Sequence, residues 1–240
     1  MRKLIIDSRM RKIEKDKLKE LGFELIEIKP SENVYEEISS HVDIFTCKIE
    51  NTIIIEPSKY IQIIDKIESS NKNIKIGKEK ISSKYPEDIK YNVCIIGKKA
   101  IHNFKFTDLS VKEELEAHGY ELISTTQGYT NCSIAVIDDN SAIVTDKGLY
   151  KILQKHNIDV IFIKEPDIKL LTRKGFSDKK GFIGGVITRI EDSIIVTGDL
   201  RKIDIDDKIR EFIERKNLKI IDFKDLDVID YGGILEIWQV

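Results

Sequence analysis

The sequence contains few of the residues that cross-link small secreted proteins. Only three cysteines, Cys47, Cys94 and Cys132, occur in 240 residues, and no two of them form a CxxC pair. An odd number without this spacing argues against a disulfide framework and against a zinc cluster. We therefore expect a reducing, cytoplasmic environment.

Long apolar runs and an excess of one charge are also missing. No segment approaches the roughly 20 apolar residues that a helix needs to cross a bilayer. Residues 1–11 hold only the short run Leu4, Ile5 and Ile6 between charges, which is too short for a signal peptide. With 40 basic and 42 acidic residues, the chain carries no strong net field. We expect neither a nucleic-acid nor a membrane partner.

Proline is scarce as well, with four residues, and no stretch rich in proline, glycine or serine marks a linker. Hydrophobic residues make up 41% of the chain, which suffices for a buried core at this length. The sequence therefore predicts one domain over residues 1–240.

What the chain does contain is an internal repeat. Residues 41–57 read HVDIFTCKIENTIIIEP, and residues 130–146 read TNCSIAVIDDNSAIVTD. When their strand-like stretches are aligned, Asp43 falls on Cys132. A repeat architecture brings sequence-distant equivalent positions close together around an axis, so a carboxylate and a thiol are expected to be neighbours.

The repeat unit consists of two strands, a helix and a third strand. The four complete copies cover residues 42–76, 91–124, 133–163 and 181–222. The fifth is split between predicted strands at 226–230 and 234–238 and a strand, helix and strand within 3–28. The sequence thus predicts an α/β fold of five ββαβ repeats, closed into a ring that leaves no exposed sheet edge.

Candidate chemistry lies where the strands of the repeats begin. His41 and Asp43 stand two residues apart at the start of a predicted strand over residues 42–49, so alternation places both side chains on one face. Cys132 opens the equivalent strand two repeats later. In a ring of five units, strand starts that face the axis converge on one cavity.

The three side chains would form a reactive set there. A thiol beside an imidazole can ionise to the nucleophilic thiolate. The imidazole can give or take a proton. A carboxylate can hold a planar cation through two parallel hydrogen bonds.

These segments resemble those of the guanidine-modifying enzymes, the pentein superfamily of deiminases, dimethylarginine hydrolases and amidinotransferases. HVDIFTCKIENTIIIEP resembles their catalytic His-x-Asp strand, and TNCSIAV resembles the segment that opens with their nucleophilic cysteine. The overall pattern is closer to small members of unknown function. The resemblance implies a five-bladed α/β propeller of pseudo-fivefold ββαβ repeats, with the last blade closed by the N- and C-terminal strands.

The same resemblance implies a role for each residue. Cys132 would be the nucleophile, His41 the general acid and base, and Asp43 the ligand of the guanidinium nitrogens. The implied reaction is hydrolysis or amidino transfer on a small guanidino or amidino molecule, through a covalent cysteine intermediate. No metal or organic cofactor is implied.

One departure from the family pattern concerns a second substrate-binding carboxylate. Its aligned positions are Gly184 and Gly185, which line a ligand-binding mouth or mark a place where strands crowd the axis. Asp225 or Asp227 could replace the acid. Asn131 orients a ligand or caps the preceding turn.

Structural roles for the same residues stay open beside the catalytic ones. Cys132 can be an inert core residue, His41 can be bonded to the backbone, and Asp43 can cap a turn. The alternatives to an enzyme are therefore a non-catalytic protein of this fold that binds a ligand or partner, and a structural scaffold. The substrate and the oligomeric state cannot be read from the sequence.

Overall fold

The computed structural model describes residues 2–67 and 74–237, and it has a mixed α/β fold. Within these residues there are five three-stranded sheets and one two-stranded sheet. The expected α/β class is therefore confirmed.

Four of the three-stranded sheets use consecutive segments of the chain and share one topology. The middle strand is antiparallel to the strand before it and parallel to the strand after it, and a helix lies between the second and third strands. The first of these sheets and its helix are β3 Thr46–Ile49, β4 Thr52–Ile55, α3 Pro57–Ile67 and β5 Ile74–Ile76, and the second are β6 Cys94–Ile96, β7 Lys99–His102, α4 Leu109–Ala117 and β8 Glu121–Ser124. The third are β9 Ile134–Asp138, β10 Ser141–Val144, α6 Lys147–Lys155 and β11 Asp159–Phe162. The fourth are β14 Ile187–Ile190, β15 Ser193–Val196, α7 Lys208–Glu214 and β16 Lys219–Ile221.

The fifth three-stranded sheet combines both ends of the described chain. It contains β1 Arg2–Asp7, α1 Lys12–Glu20, β2 Phe23–Ile28 and β17 Leu235–Ile237. β17 is antiparallel to β1, with Lys3 opposite Ile237, and β2 is parallel to β1. The two ends thus form one sheet, as the split repeat predicted. Residue 238 of the predicted last strand lies outside the described residues.

The middle strands are apolar on both faces because each is covered on both sides. The sequences TIII in β4 and SAIV in β10 are buried at every position. Branched residues of this kind suit a strand packed on two faces. The helices are amphipathic and short, and α4 and α6 begin at the capping carboxylates of Asp108 and Asp146. No helix among the described residues has the length and apolarity needed to cross a bilayer.

The predicted strand starts are wrong at three equivalent places. α2 Val42–Phe45 and α5 Thr130–Ser133 are single helical turns that precede β3 and β9, and Ile183–Gly185 forms a 3-10 turn before β14. His41 and Asp43 therefore do not share one face of a strand. The Asp43 N–H donates to the carbonyl of Gly232, so the backbone here bonds to another segment of the chain and not to a neighbouring strand.

Two further differences involve the region before β17. Residues 226–230, predicted as a strand, make only an isolated bridge between Ile229 and Lys169. Lys169 opens an additional hairpin, β12 Lys169–Thr172 and β13 Gly175–Lys180, which the repeat did not predict. The Lys169 N–H donates to the carbonyl of Val228, so residues 226–230 bond to this hairpin at Lys169. For the predicted helix over 59–69, residues 68 and 69 lie outside the described part.

Candidate active site

Five buried polar side chains form one cluster at the ends of the sheets. Cys132 comes from α5, Asp43 from α2, His41 from the residue that caps α2, Asn92 from the segment before β6, and Asp230 from the segment before β17. All five are at most 3% exposed. Groups as polar as these are buried only where other interactions compensate for the loss of water, so the cluster is a site candidate by its burial alone.

The thiol and the carboxylate that the repeat aligns are in direct contact. Cys132 Sγ donates to Asp43 Oδ2 at 2.9 Å, while Asp43 Oδ1 has no hydrogen-bond partner. Burial raises the pKa of Asp43 to about 6. Burial, followed by the charges of Asp43 and Asp230, raises the pKa of Cys132 well above its usual range. The sulfur is therefore a protonated thiol at neutral pH.

Asn92 holds the thiol from the other side. Its Nδ2 donates to Cys132 Sγ at 3.1 Å and to the carbonyl of Asp43 at 3.1 Å. Its Oδ1 accepts from the N–H of Asn131 at 2.9 Å and from the N–H of Cys132 at 3.3 Å. The sequence analysis missed Asn92. The available signal was its position, since it is the polar residue just before the first strand of its repeat, as Asp43 and Cys132 are.

Asp230 supplies the second carboxylate. Its oxygens accept from the N–H groups of Phe182 and Gly232, both at 2.8 Å. Burial raises its pKa in spite of the nearby imidazole of His41. The predicted substitutes lie elsewhere: Asp225 and Asp227 are surface residues that pair with arginine and lysine side chains. That expectation is wrong because residues 226–230 do not follow the strand pattern used to align them.

The imidazole of His41 has no hydrogen-bond partner on either ring nitrogen. Its Nδ1 lies 3.7 Å from Asp230 Oδ1, which is longer than a hydrogen bond. Burial lowers the pKa of His41, and the charges of Asp230 and Asp7 oppose this effect. The ring is therefore neutral at neutral pH, and neither nitrogen is engaged by another group of the described residues.

The two glycines lie where side chains would not fit. A Cβ on Gly184 would overlap the carbonyl oxygens of Asn131 and Cys132, and a Cβ on Gly185 would overlap the carboxylate of Asp230. Crowding at the centre thus accounts for both glycines. Substrate binding by these glycines and by Asn131 stays a prediction.

Two cavities adjoin the cluster. The first, here the thiol-side cavity, has a volume of 230 Å³, and His41, Cys132 and Asp230 lie in its wall. The second, the opposite cavity, has a volume of 260 Å³, and its wall includes Asp43 and Asn131. Because Cys132 lines one cavity and Asp43 the other, their hydrogen-bonded pair lies between the two.

The cluster combines a thiol, an imidazole and two carboxyl groups. No group of three or more His, Cys, Asp or Glu side chains in the described ranges is arranged to hold a metal ion. Among the same residues, the only ion-pair partner of either carboxylate is the distant, neutral ring of His41. The arrangement is therefore suited to bind a cation and to attack it with sulfur.

Solved structures with the same fold belong to guanidine-modifying enzymes. A DDAH from Pseudomonas aeruginosa, crystallised with citrulline, matches with a TM-score of 0.61 at 12% identity over 98% of each chain. An agmatine deiminase from C. jejuni matches with a TM-score of 0.53 at 12% identity, over 94% of this chain and 76% of that one. An inosamine-phosphate amidinotransferase from Streptomyces griseus matches with a TM-score of 0.51 at 11% identity, over 95% and 79%.

These matches confirm the resemblance in fold to the pentein superfamily. By sequence, the chain belongs to a family of unknown function (DUF6873), which matches residues 5–235. No curated protein matches the chain in sequence.

Proposed function

We propose that this protein is a cysteine-dependent enzyme that hydrolyses or transfers the amidino group of a small guanidino or amidino compound. The observation that carries the proposal is the buried contact of Cys132 with Asp43, beside His41 and Asp230, with free hydrogen-bonding atoms on the imidazole and on one carboxylate. Cys132 is the nucleophile, His41 the general acid and base, and the two aspartates bind the cation.

The charges of the cluster favour a planar cation. Two buried carboxylates that have no lysine or arginine partner among the described residues leave negative charge in a region of low dielectric constant. A guanidinium or amidinium group offers N–H donors in one plane, which suits Asp43 Oδ1 and the neighbouring acid. Its positive charge also offsets the effect that raises the pKa of Cys132, so binding of the substrate promotes ionisation of the thiol.

Each step of the proposed reaction is balanced by proton transfers. The sulfur of Cys132 bonds to the central carbon, and the thiol proton is carried by His41 to the departing nitrogen, which leaves as ammonia or an amine. Water then attacks the carbon of the thiouronium-type intermediate. His41 takes a proton from this water and returns it to the leaving sulfur, and the further proton released is taken up by the amine product. In amidino transfer, an acceptor amine replaces the water.

We further infer that the five sheets surround a common axis as a propeller formed by a single domain. Segments that precede three different sheets, carrying Asp43, Asn92 and Cys132, meet in one cluster, which supports a central axis. Contacts of β9 with both β6 and β14 support the same arrangement, as does the pairing of β17 with β1.

Labelling with 2-chloroacetamidine tests the proposal, with neutral 2-chloroacetamide as the matched reagent. After division by each reagent's rate with glutathione, we expect the amidine to label Cys132 about tenfold to a hundredfold faster, as charge-assisted hydrogen bonds would provide. Peptide mapping should find the adduct on Cys132. Cys132→Ser should abolish it, while Cys94→Ser, which removes another buried thiol, should not.

Equal normalised rates for the two reagents would contradict the proposed cation site. A second candidate function, a non-catalytic binding protein, is favoured by the raised pKa of Cys132, since a protonated thiol is a poor nucleophile. It predicts that amidines bind reversibly in calorimetry and that Cys132 is never modified.

A further inference from the structure

The wall of the thiol-side cavity is largely apolar apart from its charged Glu37, Lys179 and Lys180. Beyond Cys132 the cavity is bounded by aromatic and aliphatic side chains, namely Tyr35, Ile38, Tyr129, Leu170 and Phe182. The rings of Tyr129 and Phe182 stack at a centroid distance of 6.1 Å and an interplanar angle of 25°. The Tyr129 hydroxyl donates to Asp88, so that ring keeps no free donor for a ligand. A substrate held by the carboxylates would place its tail against this wall.

The charged groups at the same wall are already paired. Lys179 Nζ lies 2.9 Å from Glu37 Oε1 and 5.1 Å from the centre of the Tyr35 ring. Ser177 also donates to Glu37, and Lys180 pairs with Asp167. The carboxylate or ammonium of an amino-acid tail would therefore meet no unpaired group of opposite charge in the described lining, and it would have to break an existing pair.

We propose that the substrate of this site is a guanidine or amidine with an uncharged, apolar tail, up to the size of an arylalkyl group, and not an amino acid or a diamine derivative. This rests on the proposed function of the same cavity. The guanidinium binds Asp230 in the wall of this cavity, at the end where Cys132 contacts Asp43, and the tail packs between Phe182 and Tyr35. The cavity volume of 230 Å³ limits the length of the tail.

A substrate series tests the inference. The values of kcat/KM are measured for ethylguanidine, butylguanidine, phenethylguanidine, agmatine and arginine. Burial of apolar surface predicts that kcat/KM increases about fourfold for each methylene added to an uncharged tail. We expect phenethylguanidine to exceed both agmatine and arginine. Preference for either charged compound would overturn the inference and leave the proposed chemistry intact.

Binding to the Cys132→Ser protein gives a second, independent measurement. Calorimetry with the same five compounds reports the tail preference whether or not any is turned over. Tighter binding of the guanidines with uncharged tails, without turnover by the unmodified protein, would support the inference and refute the proposed chemistry. If the guanidines with uncharged tails bind no more tightly than agmatine and arginine, the inference is overturned.

Substitutions in the cavity wall test separately whether the aromatic ring and the ion pair affect binding of the tail. Phe182→Ala should weaken binding of phenethylguanidine about tenfold, since it removes a stacking ring, and should leave methylguanidine unchanged. Tyr150→Ala is the control, because its ring pairs with Phe162 on another sheet. Lys179→Met frees Glu37 and should increase agmatine binding relative to arginine. If Phe182→Ala weakens both guanidines equally, the ring does not contact the tail and the inference fails.

Discussion

Three short turns occupy equivalent places before three strands, and their side chains differ. The turn before β3 carries Asp43, the turn before β9 carries Cys132, and the turn before β14 carries Gly184 and Gly185. The first two place reactive atoms in contact with each other. The third has no side chain at this point, so its backbone packs against Cys132 and leaves room for Asp230 from the segment before β17. The repeat thus determines where a residue lies, and the side chain at each copy determines what it contributes.

The largest expected effect comes from giving the third turn a side chain. Gly184→Ala places a methyl group against the carbonyl oxygens of Asn131, Cys132 and Ile134, which are backbone atoms and cannot move aside independently. We expect a loss of about 3 kcal/mol or more in the free energy of unfolding, measured by urea denaturation. Gly148→Ala is the control, because its only neighbour within 4 Å is a side-chain oxygen of Asp146 at 3.0 Å and no backbone atom, and it should change the stability by less than about 1 kcal/mol. Similar losses in the two variants would refute the crowding.

The next largest effect is expected when the charge of Asp43 in the first turn is removed. A carboxylate whose pKa is raised from 3.8 to about 6 in the folded protein is protonated more readily there than in the unfolded chain. It therefore costs up to about 3 kcal/mol of stability at neutral pH. Asp43→Asn keeps an oxygen for the thiol and should be more stable than the unmodified protein by up to this amount at pH about 7. The same variant should lose the preference for the amidine reagent.

The sign of the pH dependence gives a separate check. Because the folded state binds the proton more tightly, Asp43 lowers the stability of the unmodified protein as pH rises from about 4 to about 6. The advantage of Asp43→Asn should appear across that interval and stay constant above it. Urea denaturation of both proteins at several pH values measures this difference. An advantage that is already complete at the acidic end would show that ionisation of Asp43 is not its cause.

The smallest effect is expected from the residue that joins the first two turns. Asn92→Leu removes the side-chain hydrogen bonds to Cys132 and to the carbonyl of Asp43, and it leaves the N–H of Asn131 with only the longer bond to the backbone carbonyl of residue 92, at a cost of about 1–3 kcal/mol. A purely structural role would change stability alone. A positioning role also predicts that the pH at which 2-chloroacetamidine labelling is half-maximal moves upward, since the thiolate loses a donor. The conservative variant Asn92→Gln should restore part of the shift if the donor matters.

The sequence was sufficient to predict that Asp43 and Cys132 are neighbours, because the repeat aligns them. It could not predict the local backbone there, since a single helical turn such as α5 is too short to show a helical period. Asp230 was missed because its segment alternates like a strand but makes only one bridge. The β12–β13 hairpin was missed because GFSDKK, the sequence of β13, is largely exposed and has no apolar alternation.

The pairing of β17 with β1 has a consequence for how the protein folds. Lys3 and Ile237 are neighbours in one sheet although almost the whole chain separates them, so their contact carries a large loop-closure entropy. Asp230 lies only a few residues before β17 and is positioned by the same closure. We expect the amide protons of β17 to exchange with solvent sooner than those of β10. A partly unfolded state that opens this sheet would retain Cys132 and Asp43 together but would lack the second acid.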